Sequence, residues 1–264
     1  MKVVLFCGGL GTRLREHSET IPKPMVNIGY RPIIWHLMKY YSHFGHNEFI
    51  LCLGYRGDVI KQYFLDYDEC LSNDFALSKG GKDIHLFNSD IQDWKITFVD
   101  TGPHANLGQR LQAVEGYIGD DDDVFMANYT DGLTDLHLPT YLAEFRRRAV
   151  TASFVSVCPT YSFHMVDADD AGLVRMIQDA REAGLWINGG FFVFKRAIFD
   201  AIQAGEDLVE QPFRRLISRK QLLAYRYTGF WSCMDTFKDK QRFDDMEARG
   251  ETPWRVWRDP STHG

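Results

Sequence analysis

Short runs of consecutive apolar residues alternate with segments of helical periodicity in the first half of the chain. The runs that begin at Val3, Phe49, Ile96 and Val124 have the length of strands and are typical of parallel strands buried on both faces. The segments between them place apolar residues on one face of a predicted helix. These segments are 31–41, 56–67 and 107–117. The alternation predicts an α/β fold built on a doubly wound sheet.

The second half of the chain is mixed. Its predicted strands are 152–158, 173–177, 190–194 and 222–227, and its predicted helices are 196–203, 211–219 and 237–249. Residues 68–92 are polar, lack periodicity and contain Gly80 and Gly81, so they form either a surface excursion or an insertion against a neighbouring subunit. No repeat, low-complexity tract or linker divides the chain, which predicts a single domain, 1–264.

Composition narrows the class of protein. Apolar residues make up 45% and charged residues 25% of the 264 residues, as in ordinary globular proteins. The net charge of −6 argues against a nucleic-acid partner held by bulk charge. Five widely spaced cysteines without a C-x-x-C pair favour reduced thiols over a disulfide framework or a zinc site. Without a signal peptide or an apolar run of 18 residues, a cytoplasmic protein with no membrane segment is expected.

A glycine-rich turn, GGLGTRL at 8–14, follows the first predicted strand, and PKPM follows at 22–25. Glycines leave backbone N–H groups open to an anion, because no Cβ blocks a phosphate. Arg13 and Lys23 bring positive charge to the same place. The turn is neither a P-loop nor a dinucleotide fingerprint, which would need Gly or Ala at Leu14. The alternative to a phosphate-binding turn is an ordinary glycine turn of an α/β protein. For Lys23, the alternative to phosphate binding is a solvated position between two prolines.

Two aspartates stand at the ends of apolar runs. Asp131 follows the predicted strand that begins at Val124, and Asp235 follows the run that ends at Met234. Ligands bind at the carboxyl ends of strands in doubly wound sheets, which is also where the glycine turn falls. Mg²⁺ prefers oxygen ligands and usually takes one or two carboxylates from a protein. Together the two aspartates predict a Mg²⁺ site, although either one alone is equally compatible with a structural turn.

These features resemble the glucose-1-phosphate cytidylyltransferase family of sugar-phosphate nucleotidyltransferases. The resemblance covers nearly the whole chain and rests on GGLGTRL (8–14), PKPM (22–25), CLGYRG (52–57), DTG (100–102), INGGFF (187–192), GFW (229–231) and MDT (234–236). It implies a Rossmann-like mixed sheet of nucleotidyltransferase type, with helices on both faces, a nucleotide-binding half at about 1–135 and an acceptor-binding half at about 136–264. It also implies a homo-oligomer that uses Mg²⁺ to transfer CMP from CTP to a sugar 1-phosphate, releasing pyrophosphate.

The resemblance also implies roles for individual residues of this chain. The implied nucleotide-binding residues are Leu5, Gly8, Gly9, Gly11, Thr12, Arg13, Lys23, Arg110 and Asp131. Catalysis would involve Arg13, Lys23 and Asp131, and the metal would be held by Asp131 and Asp235. The implied acceptor-binding residues are Asn188 and Gly189, and His164 and Arg181, in or beside the segments that depart from the family pattern, are further acceptor-binding candidates.

Two acceptor segments depart from the family pattern. Where the family has Arg-Phe-Gly, this chain has Ser-Phe-His at 162–164, and where the family has Glu-Lys-Pro it has Gln-Asp-Ala at 178–180. Asp179, in place of a lysine on the sugar phosphate, would repel a dianionic phosphate. This change predicts a phosphorylated or phosphonylated acceptor other than glucose 1-phosphate. If the chain shifts locally, Arg181 or Arg175 supplies the missing charge and glucose 1-phosphate remains the acceptor.

Two other classes of protein are weighed against this enzyme. A non-catalytic nucleotide-binding relative would have lost Lys23 or one of the aspartates, and this chain has all three. A NAD-dependent oxidoreductase would need a complete G-x-G-x-x-G, and that pattern fails at Leu14. A nucleoside triphosphate other than CTP stays open, because residue spacing does not reveal a base pocket.

Overall fold

The strand β1, Val3–Phe6, lies inside the principal sheet and is buried along its whole length.

The computed structural model describes residues 1–9, 21–119, 123–159, 164–179 and 184–258. The other strands are β2 Asn27–Ile28, β3 Arg31–Pro32, β4 Glu48–Leu53, β5 Phe75–Ser78, β6 Asp83–Leu86, β7 Lys95–Asp100, β8 Val124–Tyr129, β9 Gly132–Thr134, β10 Ala152–Val157, β11 His164–Ala168, β12 Val174–Asp179, β13 Ile187–Asn188, β14 Phe192–Lys195, β15 Leu222–Tyr227 and β16 Trp231–Cys233. The helices are α1 Ile33–His43, α2 Gly57–Leu65, α3 Leu107–Ala113, α4 Glu115–Ile118, α5 Leu138–Arg148, α6 Gln211–Ser218 and α7 Phe237–Ala248. Short 3₁₀ turns lie at Lys23–Met25, Glu69–Leu71, Lys79–Gly81 and Arg196–Ala201.

The principal sheet has eight strands. β1 pairs in parallel with β4 on one side and with β8 on the other, and β4 pairs in parallel with β7. β14 runs antiparallel between β8 and β10, and β15 pairs in parallel with β10. β13 pairs with the other end of β10. The order is therefore β7-β4-β1-β8-β14-β10-β15, which confirms the predicted mixed sheet.

Alternate residues of β1 point to opposite faces of the sheet and enter two separate cores. Val3 and Leu5 belong to a cluster with buried residues of α1, α5 and α7. Val4 and Phe6 belong to a second cluster with buried residues of α3, α4 and α6. Helices therefore cover both faces, and the predicted doubly wound α/β fold is confirmed.

Three of the predicted helices differ from the structure, and one of these, 107–117, is divided at Val114 into α3 and α4. The helix predicted from Arg31 begins at Ile33, because Arg31 and Pro32 pair with β2 as the strand β3. The predicted helix at 196–203 is instead the 3₁₀ turn, whose buried residues Ile198 and Ala201 are three positions apart. No described helix combines the length and the apolar character needed to cross a membrane.

Besides the short pairs β2–β3 and β9–β16, two exposed hairpins lie outside the principal sheet among the described residues. β5 pairs with β6 inside segment 68–92, and both strands are largely exposed. In the single chain this segment is therefore a surface excursion. β11 and β12 form the second hairpin, and β12 contains most of the strand predicted at 173–177.

Candidate active site

A cavity of about 560 Å³ opens where β1 and β8 end. Phe6 and Tyr129, the last residues of these strands, both line it. The lining residues are Phe6, Gly8, Gly9, Lys23, Pro24, Pro103, His104, Ala105, Asn106, Leu107, Arg110, Tyr129, Thr130, Asp131, Asp207 and Asp235. The cavity thus lies at the carboxyl edge of the parallel strands, which is where doubly wound sheets bind ligands.

Asp131 and Asp235 are distant in sequence and meet at this cavity through the pairing of two short strands. β9 and β16 run antiparallel, with Gly132 opposite Cys233. The backbone N–H of Met234 donates to the carbonyl of Asp131 at 2.7 Å. This pairing sets the residue before β9 beside the residues after β16, so both carboxylates line the same cavity.

The start of α7 fixes the backbone of Asp235. Thr236 is the N-cap residue of this helix, and its side chain forms a capping box with Asp239. The buried Asp239 carboxylate accepts hydrogen bonds from the backbone N–H groups of Thr236 and Asp235, at 2.8 and 3.1 Å. Because Asp239 holds both N–H groups, the position of Asp235 depends on the helix behind it.

Lys23 lies between the two aspartates. Its Nζ is 2.5 Å from Asp131 Oδ2 and 2.5 Å from Asp235 Oδ1. Burial alone would lower the pKa of Lys23, but the charge and hydrogen bond of Asp131, joined by those of Asp235, outweigh burial and raise it. The side chain is 16% exposed, which does not fit a solvated turn position. Lys23 is therefore a fixed cation in the cavity wall at neutral pH.

Arg110 joins the ends of three neighbouring strands. Its Nη2 donates to the carbonyl of Gly8 at 3.0 Å. Its Nη1 donates to the carbonyl of Leu53 at 3.2 Å and to the hydroxyl of Thr101 at 2.6 Å. Burial lowers the pKa of this guanidinium, which is only 4% exposed. Arg110 lines the cavity, but these hydrogen bonds go to oxygens of the protein, so the guanidinium fixes the shape of the cavity floor.

The two described glycines of the turn have different tasks. A Cβ at Gly8 would lie 1.9 Å from Nη1 of Arg110, whereas a Cβ at Gly9 would meet no atom of the described residues within 4 Å. Gly8 therefore makes room for the buried guanidinium. Gly9 leaves the main chain open to the cavity, as a phosphate-binding turn requires.

Comparison with known proteins agrees with this geometry. Residues 2–259 match the family model described as nucleotidyl transferase. The chain belongs to that family. It is 38% identical to the glucose-1-phosphate cytidylyltransferases of Salmonella typhi and Salmonella typhimurium over 260 residues, which cover 97% of this chain and 100% of each relative. A solved structure of UDP-glucose pyrophosphorylase complexed with UDP-glucose shares the fold, with a TM-score of 0.68 at 14% identity over 94% of this chain and 98% of that one.

Membership of the nucleotidyl transferase family makes the chain a nucleotidyltransferase enzyme, so the predicted resemblance is confirmed and the oxidoreductase alternative is excluded. Some residues with implied roles lie outside the described residues, namely Gly11, Thr12, Arg13 and Arg181. The Leu5 side chain is fully buried in the core of this nucleotidyl transferase, and His164 is exposed on β11. Neither is among the described residues that line the cavity.

Asn188 and Gly189 are not among the described residues that line the cavity of this nucleotidyl transferase. The amide Nδ2 of Asn188 donates to the hydroxyl of Tyr129 at 3.5 Å, and Tyr129 lines the cavity. The carbonyl of Gly189 accepts a hydrogen bond from Nε1 of Trp231 at 2.9 Å. Asn188 is therefore linked to the cavity wall through Tyr129, whereas Gly189 is held by Trp231 of β16.

Sequence reasoning missed the lining residues Tyr129, His104 and Asp207. Burial, followed by the charges of Asp131 and Asp207, raises the pKa of Tyr129, so its hydroxyl stays neutral and can donate a hydrogen bond. The rule that ligands bind where parallel strands end could have found Tyr129 and the loop of His104 after β7. Asp207 follows no such strand, and no signal in its sequence marks it.

The donor set suits a divalent cation. Asp131 Oδ2 and Asp235 Oδ1 both contact the same ammonium, so one cation can reach both carboxylates. Among the described residues, no group of three or more His, Cys, Asp and Glu side chains could hold a metal ion. Mg²⁺ commonly takes one or two carboxylates and completes its shell with phosphate oxygens and water, which is what two aspartates beside a phosphate site would provide.

Proposed function

We propose that this nucleotidyl transferase moves CMP from CTP to a sugar 1-phosphate or a related phosphorylated acceptor and releases pyrophosphate. The observation that carries the proposal is the Lys23 ammonium held between Asp131 and Asp235 in the cavity. A cation and two carboxylates at this edge of the sheet suit phosphate chemistry with a divalent metal. The names of the Salmonella relatives support CTP and a sugar 1-phosphate as the substrates.

In the proposed reaction an oxygen of the acceptor phosphate attacks the α-phosphorus of CTP. The bond from that phosphorus to the bridging oxygen of the β-phosphate breaks, and pyrophosphate leaves. A phosphate monoester has its second pKa at about 6, so its oxygen is ionised at neutral pH and the attack requires no protein base. The protein holds the reactants in line and balances their charge, with the open backbone of Gly9 and the cation of Lys23 facing the phosphates.

The charge of the cavity favours a metal. Its described lining includes the carboxylates of Asp131, Asp207 and Asp235, and the cations of Lys23 and Arg110. Arg110 already donates to oxygens of the protein, and a triphosphate adds further negative charge. Mg²⁺ held by Asp131 and Asp235 would offset that charge and polarise the α-phosphoryl group when bound.

A screen for pyrophosphate release tests this function. The protein is incubated with Mg²⁺, each of the four nucleoside triphosphates and a panel of phosphorylated and phosphonylated acceptors. We expect release with CTP and at least one acceptor. Faster release with another triphosphate would overturn the choice of CTP. Binding of CTP without release for any acceptor would favour a non-catalytic nucleotide-binding relative.

We expect the preferred acceptor to differ from glucose 1-phosphate. Asp179 stands where the family pattern has a lysine on the sugar phosphate, and it lies at the end of β12, directly opposite His164 on β11. Steady-state turnover of the acceptor panel with CTP measures this preference. Robust turnover of glucose 1-phosphate, with a KM in the usual range of about 1 μM to 1 mM, would contradict the prediction and favour Arg181 as the missing cation. The variant Asp179→Lys should improve the use of glucose 1-phosphate, and Asp170→Lys, in the exposed turn of the same hairpin, is the control.

We also propose that the chain forms a homo-oligomer through the exposed hairpins β5–β6 and β11–β12. In β5–β6, Leu77 and Ile84 are opposite each other and are 60% and 53% exposed. In β11–β12, Val166 and Ile177 are opposite each other and are 57% and 61% exposed. A two-stranded hairpin is marginally stable alone in water, and a head-to-tail contact between copies would cover both apolar faces.

Light scattering after size-exclusion chromatography tests the oligomer. We expect a mass above that of one chain for the natural sequence, and a shift towards one chain for Leu77→Lys combined with Ile84→Lys, because the charges would have to be buried at the contact. Replacing Lys79 and Lys82, in the turn of the same hairpin, with glutamine is the control. A natural chain that stays a monomer at about 50 μM, a concentration well above the micromolar range of ordinary affinities, would contradict the proposal.

A further inference from the structure

The ammonium of Lys23 occupies the space between the two aspartates. Its Nζ is equally distant from Asp131 Oδ2 and Asp235 Oδ1, at 2.5 Å. Three separate parts of the chain build this arrangement: the 3₁₀ turn of Lys23, the end of β8 with β9, and β16 with the start of α7. The lysine is therefore placed by the fold, and its two partners are held at the same point.

A divalent metal bound to both carboxylates would need that same space. Mg²⁺ binds oxygen ligands at about 2.0–2.1 Å. The two oxygens already contact one ammonium at 2.5 Å each, so an ion that bridges them would overlap with Nζ or lie against it. Two cations so close repel each other strongly. Mg²⁺ and the Lys23 ammonium cannot both bridge Asp131 Oδ2 and Asp235 Oδ1.

Displacing the lysine is costly unless a new partner is present. The side chain of Lys23 is 16% exposed, and a buried ammonium that loses its carboxylates remains charged and poorly hydrated. The phosphates of a nucleoside triphosphate in the cavity would give it strong acceptors. The free energy needed to displace Lys23 therefore weakens the binding of a metal that enters alone. A metal that enters with the triphosphate is not weakened in this way, because the phosphates accept the ammonium.

Building on the proposed function, we infer that in the free protein the Lys23 ammonium occupies the position that the divalent cation would take. Lys23 thereby couples metal binding to triphosphate binding. The ammonium keeps the two carboxylates together and excludes the metal from the free protein. When the triphosphate binds, its phosphates accept hydrogen bonds from the ammonium, and the metal takes the place of Nζ at Asp131 Oδ2 and Asp235 Oδ1. By linkage, the metal and the triphosphate must strengthen each other's binding by the same factor.

Titration of the free protein with Mn²⁺, followed by the electron paramagnetic resonance signal of the unbound ion, tests this coupling without turnover. We expect weak binding to the natural protein. Lys23→Gln should bind Mn²⁺ about 5- to 150-fold more tightly, the usual range of coupling between two sites. Lys23→Met, which is also neutral, should behave in the same way and replaces Lys23→Gln if that variant does not fold.

Two matched variants identify the cause of the gain in Mn²⁺ affinity expected for Lys23→Gln. Lys238→Gln removes the same charge from an exposed position at the start of α7, close to Asp235 in sequence, and should leave the Mn²⁺ affinity unchanged. The double variant Lys23→Gln with Asp235→Asn should lose the gain. Unchanged or weaker Mn²⁺ binding in Lys23→Gln and Lys23→Met would overturn the inference, as would an equal gain in Lys238→Gln.

The pyrophosphate screen of the natural protein separates this inference from the proposed function. Turnover with CTP, together with unchanged Mn²⁺ affinity in both neutral Lys23 variants, would overturn the coupling and leave the function in place. A gain in Mn²⁺ affinity without turnover for any pair of substrates would leave the coupling in place and overturn the function.

Discussion

Asp131→Asn and Asp235→Asn are each expected to lower kcat by about 10²- to 10³-fold, the loss that follows removal of one preorganised electrostatic group. Each aspartate contributes one carboxylate oxygen to the point that Lys23 now occupies. An amide keeps the shape of the side chain but loses the charge that would hold Mg²⁺. The measurement is kcat at saturating Mg²⁺ with the best acceptor from the screen, together with thermal unfolding to verify the fold.

Asp100→Asn is the matched control for these two variants. Asp100 ends β7 at the same edge of the sheet, is exposed, and accepts a hydrogen bond from the backbone N–H of Gly102 at 3.0 Å. It does not line the cavity among the described residues, so turnover should be unaffected. If Asp131→Asn or Asp235→Asn kept kcat within about threefold of normal, much less than the loss expected for a metal ligand, that residue would not hold the catalytic metal.

The central sheet was predictable because its strands carry a local signal. β1, β4 and β8 are apolar along nearly their whole length, and only strands buried on both faces by helices need such runs. Strand ends in a parallel sheet share one edge, so the location of Asp131 at the ligand edge followed from its own sequence context. The family resemblance added the nucleotide and the acceptor, which no local pattern shows.

The pairing that completes the site had no comparable signal. β9 and β16 have three residues each, too few for the alternation that identifies a strand. Their register, with Gly132 opposite Cys233, depends on contacts between distant parts of the chain. Sequence reasoning therefore found the two carboxylates but not the short ladder that brings them together, nor the direct contact of each with Lys23.

Arg110 and Gly8 show a second limit of sequence reasoning. The resemblance implies that Arg110 lies near the nucleotide, but nothing in the sequence shows that its described hydrogen bonds go to Gly8, Leu53 and Thr101 of the protein itself. Gly8 resembles a phosphate-binding glycine, and its missing Cβ leaves space for that guanidinium. Whether a residue binds the ligand or supports the loop depends on side-chain directions, which only the folded chain reveals.

Gly8→Ala is expected to lower the free energy of unfolding by about 1–3 kcal/mol, the range for overpacking a buried site. Its Cβ would lie 1.9 Å from Nη1 of Arg110 and 2.1 Å from Cζ. The arginine can move only by giving up its hydrogen bonds to the carbonyls of Gly8 and Leu53 and to the hydroxyl of Thr101. Since the guanidinium is buried, those bonds are not replaced by water. Urea unfolding followed by circular dichroism measures the change.

Gly9→Ala and a double variant decide the cause of that loss. The same methyl group at Gly9 meets no atom of the described residues within 4 Å, and Gly9 is exposed, so Gly9→Ala should stay within about 0.5 kcal/mol of the natural protein, as surface substitutions usually do. If Gly8→Ala acts through the guanidinium, most of its cost should disappear when it is measured in the Arg110→Ala background, because residues in contact are not additive. Equal losses for Gly8→Ala in both backgrounds would mean that the glycine is needed for its own backbone and not for Arg110. A loss for Gly9→Ala as large as that for Gly8→Ala would show that any side chain in this turn destabilises the protein.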